Sequence, residues 1–259
     1  MTALGTVARV TRLLTIFAEA QSDLSIKDVS ALIDLPASTV HRLLKLLSDD
    51  GIITVNPTTH RYSCGHEFAR IASLVASKTS IVDIARPFME AVVAQCKETC
   101  VFIRYVRATG KMSVAAVVSS PNPLRYEMEM YTPKPVLWGA TGNAILAFLP
   151  RDEQLSLYAI GKAERSPVTG EELPEQGNFL ESLDLIKARG YAISHGKTIA
   201  GAVGMGAPVF DGSGGVVGSL CVTLPELRSS REVENAIVEA LKPKARELST
   251  ALGFRGINS

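Results

Sequence analysis

The run Leu35-Pro36-Ala37-Ser38-Thr39-Val40-His41-Arg42-Leu43-Leu44-Lys45-Leu46-Leu47 has two opposed faces. Val40, Leu43, Leu44 and Leu47 recur at i, i+3, i+4, i+7, the spacing that gives a helix one apolar side. The other side carries Ser38, Thr39, His41, Arg42 and Lys45, short hydroxyls first and long cations behind. Pro36 suits the first turn, where its missing N–H deprives no intrahelical acceptor. That order suits insertion into a duplex major groove: small donors and the helix N-terminus approach phosphates and base edges while Arg and Lys reach outward. A trihelical core with a merely solvated polar face would show the same pattern.

The flanks shift that balance. Upstream, residues 6–20 place Val7, Val10, Leu13, Leu14 and Phe17 on one stripe, and 22–25 break it. Ser25-Ile26-Lys27-Asp28 reads as a capping-box variant that satisfies orphan amides at the next helix start. Ser25 is also counted with the DNA-facing set. Ile26, Val29 and Ile33 form that helix's buried side, and the break at 34–36 is so short that the second and third helices must cross steeply. Downstream, Gly51 ends the third helix. Residues 52–55 and 61–64 then flank a turn at 56–60, predicting a hairpin. Three helices and a hairpin is the order of a winged helix-turn-helix, with His60 and Arg61 near the wing tip, where a cation meets the phosphate backbone or the minor groove.

The chain has 259 residues, 46% hydrophobic and 20% charged, enough for one large domain or two ordinary ones. Lys plus Arg number 27 and Asp plus Glu 26, eight against seven up to residue 79 and nineteen against nineteen beyond it. Any nucleic-acid site is therefore local. Four scattered cysteines, the absence of a long apolar core in residues 1–12 and of an 18-residue apolar run lead us to expect a soluble, cytoplasmic protein in a reducing compartment, with no membrane partner.

Beyond residue 80 strands and helices mix. Residues 100–106, 112–118, 205–210 and 216–224 read as strands; 81–97, 138–149, 151–158, 179–189 and 231–252 read as helices. Turns at 107–111 and 211–215 join strands antiparallel. The expectation is an α+β chain whose mostly antiparallel sheet is flanked by helices. Residues 164–178 read as a surface connection.

The helix quoted first, with Gly51-Ile52-Ile53 and Arg61-Tyr62-Ser63-Cys64-Gly65, resembles the signature of the IclR family of bacterial transcriptional regulators. Ala85-Arg86-Pro87, the helix ending Ala147-Phe148-Leu149-Pro150, Arg189-Gly190-Tyr191-Ala192, Ala207-Pro208-Val209-Phe210 and Leu252-Gly253 are similar to the same family's effector domain. The resemblance runs from about residue 6 to 253. It implies a winged helix-turn-helix DNA-binding domain (1–65), a linker helix (66–79) and a GAF-like effector-binding domain (80–259). It also implies a homodimer or dimer of dimers, and a regulator, not an enzyme. No cofactor or metal is called for.

Asp49 and Asp50 close the recognition helix and the reader domain is almost neutral, so one copy should bind double-stranded DNA weakly. Linking two copies raises the effective concentration without a new contact, and a symmetric dimer predicts a palindromic operator. Residues 66–77 carry Phe68, Ile71, Ala72 and Val75 on one stripe. That stripe is either a dimer seam or packing within its own domain.

The resemblance implies a small organic effector at one end of the sheet, drawing on Ala140, Thr141, Ser194, His195, Ala202, Gly204, Cys221 and Thr223. At three of four positions the chain departs from the members that bind glyoxylate or pyruvate. Small residues at 201–206 leave room, and Trp138, Met205 and Phe102 offer apolar walls, which suits an aromatic or larger acyl ligand whose polar end is oriented by Thr141, Thr223, Ser194 and His195. Ordinary roles compete: Trp138 as core, Thr141 as a helix cap, His195 as a surface loop residue, small residues as aids to strand packing. A small-molecule sensor acting through protein contacts is the alternative function. Other chemistry fares poorly. Cys96 and Cys100 lack two further ligands at metal spacing. Cys221 with His195 has neither a nucleophile elbow nor a triad order. The glycines at 201, 204 and 206 do not lie between a strand and a helix, as a dinucleotide site requires.

Overall fold

The computed structural model describes residues 5–20, 22–78 and 80–256. The chain divides after Ser80 into two compact units.

The first unit begins with α1 (Thr6–Glu19), α2 (Ile26–Ile33) and α3 (Ala37–Asp49), followed by the two-stranded sheet of β1 (Ile53–Val55) and β2 (Tyr62–Cys64), then α4 (His66–Lys78). Leu13 and Phe17 of α1, Val29 and Ile33 of α2, Val40, Leu43 and Leu44 of α3 and Ile53 of β1 form its core. Both buried positions of α1 lie in its C-terminal half, whereas Val7, expected on the same stripe, is 81% exposed. Helical spacing does not reveal how far the partner elements reach. Asp34 adopts the left-handed conformation and ends α2 by donating to Ser30 O. Two residues later Pro36 caps α3, one position earlier than expected.

The second unit is built on a six-stranded sheet: β3 (Thr99–Val106), β4 (Lys111–Val118), β5 (Lys134–Pro135), β6 (Ala192–His195), β7 (Ala202–Phe210) and β8 (Val216–Pro225). Their spatial order is β5-β4-β3-β8-β7-β6, every neighbouring pair antiparallel. Helices α5 (Ile81–Cys96) and α9 (Arg231–Ala251) cover one face, where Met89, Ile237 and Leu241 meet Phe102, Met205 and Leu220. Helix α6 (Gly139–Leu146), α7 (Arg151–Gly161) and α8 (Gln176–Arg189) serve the other face, with Val101, Ile103 and Cys221 against Ala144, Ile145 and Leu183. This is the expected α+β arrangement. Two strands were not anticipated, β5 and β6, and β7 starts at Ala202 rather than Met205. Glycine-rich sequence at 201–206 dilutes the strand signal. It is needed there: a Cβ on Gly206 would lie 2.6 Å from Ala140 O and 2.8 Å from Cys221 Sγ, so only glycine lets α6 approach the sheet this closely.

Candidate functional site

In the first unit the side chains expected to face DNA are on the outside of α3. Ser38, His41, Arg42 and Lys45 are exposed, and Thr39 is half-buried at the turn beside Val40. Neither Arg42 nor Lys45 is ion-paired with another described residue. The apolar half of the helix places Val40, Leu43 and Leu44 in the core, so the polar half faces outward.

Ser25 is placed differently. Its Oγ accepts Asp28 N at 3.2 Å while its own N–H donates to Asp28 Oδ2 at 2.9 Å, a complete capping box at the start of α2. These bonds hold the Asp28 carboxyl below the usual carboxylate range, the Ser25 backbone first and its hydroxyl second, with Arg61 and Lys27 adding charge attraction. The wing turn is organised by Asn56, whose Oδ1 accepts Thr58 N and Thr59 N at 2.9 and 3.1 Å. His60 stands exposed beyond it with φ at 53°. Arg61 is not free at the tip. Its guanidinium folds back, Nε donating to Asp23 O at 2.9 Å and Nη2 to Asp28 Oδ2 at 3.1 Å.

In the second unit a cavity of about 420 Å³ opens between the sheet and the start of α6. Trp138, Ala140, Thr141, Ser194, Ala202, Gly204 and Thr223 all line it. Ser194 Oγ accepts the Ala140 amide at 2.8 Å, leaving the hydroxyl proton to point elsewhere. The Trp138 indole N–H is buried with no hydrogen-bond partner among the described residues, an unmet donor in the cavity wall. Thr141 does not cap its helix: Trp138 is the N-cap, and the Trp138 side chain makes no capping hydrogen bond.

Three expected residues, His195, Met205 and Cys221, and the expected wall Phe102 lie elsewhere, all but Cys221 for the same reason. Side chains of a strand alternate between faces. Because Ser194 and Gly204 face the cavity, their neighbours His195 and Met205 face away; Met205 is buried in the core under α5 and α9. His195 Nε2 instead meets Glu234 Oε1 of α9 at 2.9 Å. Phe102 likewise alternates with the cavity-lining Val101 and Ile103. Cys221 is on the α6 side of the sheet but wholly buried beneath that helix. Burial pushes its thiol up to about 12, against a smaller lowering by Ser219, which leaves no reactive thiolate at neutral pH.

Sequence reasoning missed most of the apolar wall, which Val101, Ile103, Met112 and Val114 supply, and the whole of the cover. The β3 alternation held that signal. The stretch read as a surface connection brings Glu164, Arg165 and Pro167 over the cavity opposite Lys197 and Ile199 of the β6–β7 turn. Buried Ser166 donates its Oγ–H to Lys197 O at 2.8 Å, and Lys197 pairs with Glu171. Each cation around the rim has its own acid: Lys134 with Glu129, Arg165 with Glu172, Lys197 with Glu171. Among the described residues, no group of three or more His, Cys, Asp or Glu is arranged to hold a metal ion. Nor is any described helix long and apolar enough to cross a membrane.

A winged helix-turn-helix followed by an α+β unit with an internal cavity defines a class of DNA-binding transcriptional regulator. Residues 6–57 match the IclR helix-turn-helix domain, and residues 73–250 match the bacterial transcriptional regulator IclR C-terminal domain. The chain belongs to the IclR family, whose members are regulators, not enzymes. It is 24% identical over 250 residues to the HTH-type transcriptional regulator KipR of Bacillus subtilis, covering 96% of this chain and 97% of that protein. To the glycerol operon regulatory protein of Streptomyces griseus it is 27% identical over 252 residues, 95% of each. A crystal structure of an IclR transcriptional regulator from Silicibacter sp. TM1040 shares the fold with TM-score 0.85 at 21% identity, covering 98% of both chains. Pseudomonas aeruginosa HmgR does so with TM-score 0.79 at 24% identity, over 98% of this chain and all of that one.

Proposed function

We propose that this transcriptional regulator acts in the cytoplasm as a homodimer or dimer of dimers on a palindromic operator, and that a small organic ligand in the α6 cavity changes its hold on DNA. The single observation that carries the reading is the exposure of Ser38, His41, Arg42 and Lys45 on the side of α3 opposite its buried residues. Thr39 and His60 complete the contact surface. Ile71, Leu74 and Val75 of α4, each 40% exposed or more, suit a seam between copies. The near-balance of charge in the first unit makes such pairing necessary for tight binding.

The ligand reading is an aromatic or acyl compound with a carboxylate or carbonyl end. Apolar walls accept its body, and Trp138, Thr141, Ser194 and Thr223 offer donors to its polar end. With every rim cation already paired, little charge remains for a phosphate or a dianion. Coupling between two such sites is typically about 1–3 kcal/mol, roughly 5- to 150-fold in operator affinity. The test is a gel-shift titration on a duplex selected from a random pool, with and without aromatic and acyl acids that raise the melting temperature. An inverted repeat in the selected duplexes and a ligand-dependent shift in half-retention support the reading. Unpaired half-sites, or no shift with any stabilising compound, contradict it.

A further inference from the structure

The wing is fastened to the helix-turn-helix at two adjacent points. Leu24, just before α2, and Tyr62 of β2 exchange backbone N–H···O bonds, both 2.8 Å. One residue earlier, Arg61 spans to the same segment through Asp23 O and Asp28 Oδ2. The Asp28 oxygen it reaches is the one that already accepts Ser25 N, so the guanidinium completes the α2 capping box from outside. The Arg61 backbone meanwhile closes the wing turn: its carbonyl accepts Asn56 N at 2.8 Å, and the next residue toward the tip is His60 in its left-handed conformation. Arg61 is thus the point where the wing tip, the β2 strand and the start of α2 meet.

Both partners are close to half exposed, 46% for Arg61 and 43% for Asp28. An ion pair so wet adds little to fold stability. What a planar guanidinium adds over an ammonium is direction, since two N–H groups on two fixed acceptors leave no rotation. Arg42 differs: it has no ion-pair partner among the described residues.

We propose that Arg61 is a positioning residue. Through Asp23 and Asp28 it sets the angle at which the wing and His60 meet the duplex, and it does not itself bind phosphate. This rests on the groove-reading role of α3 proposed above. The two candidate roles for Arg61 differ in counterion release, because a phosphate contact contributes about one unit to the salt slope of binding and a positioning contact contributes none.

The experiment uses the full chain and a duplex recovered from a random pool by the wild type, with dissociation constants measured across a series of KCl concentrations. The variants are Arg61→Ala, Arg61→Lys, Asp28→Asn and the Arg61→Ala/Asp28→Asn double. Asp28→Asn keeps an acceptor for Ser25 N and so preserves the helix cap. The expected result is a loss of about tenfold in affinity for each single variant, no further loss in the double, no rescue by lysine and a wild-type salt slope throughout. Melting temperatures stay near the wild-type value. A slope lowered by about one in Arg61→Ala but retained in Arg61→Lys overturns the proposal. So does tighter binding by Asp28→Asn, which would mean that the carboxylate competes with DNA for the arginine. A wild type that retains no duplex brings down the groove-reading account with it, whereas the other two outcomes count against the role of Arg61 alone.

Discussion

Ser194 Oγ accepts the backbone N–H of Ala140 at 2.8 Å, so edge strand β6 supplies across the cavity the cap that helix α6 lacks from its own N-cap residue, Trp138. One hydroxyl therefore both caps a helix and lines the cavity. Ser194→Ala removes the acceptor and leaves a largely buried amide unpaired, with an expected loss of about 1 kcal/mol in stability. It also removes a donor from the cavity. Thermal melts with and without a stabilising acid should show both a lower melting temperature and a smaller ligand shift. An unchanged ligand shift would mean that Ser194 is only a cap.

Trp138 is the only tryptophan in the chain. Its buried indole N–H meets no acceptor among the described residues, and an acceptor on a ligand would satisfy it. Trp138→Phe should leave the unliganded melting temperature level or raise it, while weakening binding of acids several-fold. Fluorescence of the wild-type indole should respond to the same ligands. A clear fall in unliganded stability would show that the ring's packing, not its N–H, is what the site uses.

The cysteines give a separate check on the absence of thiol chemistry. Burial raises the Cys100 thiol well above its ordinary value and carries Cys221 up to about 12. Cys64 is exposed and Cys96 half-buried. A thiol reagent at neutral pH should modify Cys64 in the native protein and reach Cys100 and Cys221 only in denaturant. Rapid native labelling of Cys221, located by peptide mapping, would reopen the nucleophile reading.

Glu234 links α9 to the far side of β6. Its carboxyl is held low chiefly by the Ser229 hydroxyl at 2.6 Å; burial opposes this, and His195 adds a lesser lowering. A depressed carboxylate favours the folded state above the ordinary value of 4.5, and that contribution fades as pH falls through the lowered folded value. Melting temperature should therefore drop between about pH 5 and pH 3 more steeply in the wild type than in Glu234→Gln. Parallel curves would remove Glu234 from the acid response.

Much of this was legible in sequence where one period governs a whole element. The face of α3 follows from Val40, Leu43 and Leu44, and the α2 cap from Ser25 and Asp28 three apart. The cavity was legible in its small residues, Ala140, Ala202 and Gly204, and in Ser194 and Thr223. What failed was side assignment within strands, where a one-residue step reverses the face: His195, Met205 and Phe102 were each one position from a residue that does line the cavity. The fate of Arg61 was also hidden, because its acceptors are 33 and 38 residues away and no local pattern announces them. The cover formed around Ser166 is tied to Lys197 through the Ser166 hydroxyl and the Glu171 carboxylate, contacts equally remote in sequence.

The central claim is that the polar side of α3 reads a duplex, and Arg42→Ala tests it most directly. Arg42 is exposed and outside the core, so the fold should survive with an unchanged melting temperature. Gel-shift titration on the selected operator across a salt series should show a loss of about 1–3 kcal/mol, roughly 5- to 150-fold, if Arg42 reads a base, or a salt slope smaller by about one if it holds a phosphate. Operator retention and salt dependence both equal to wild type would contradict the account.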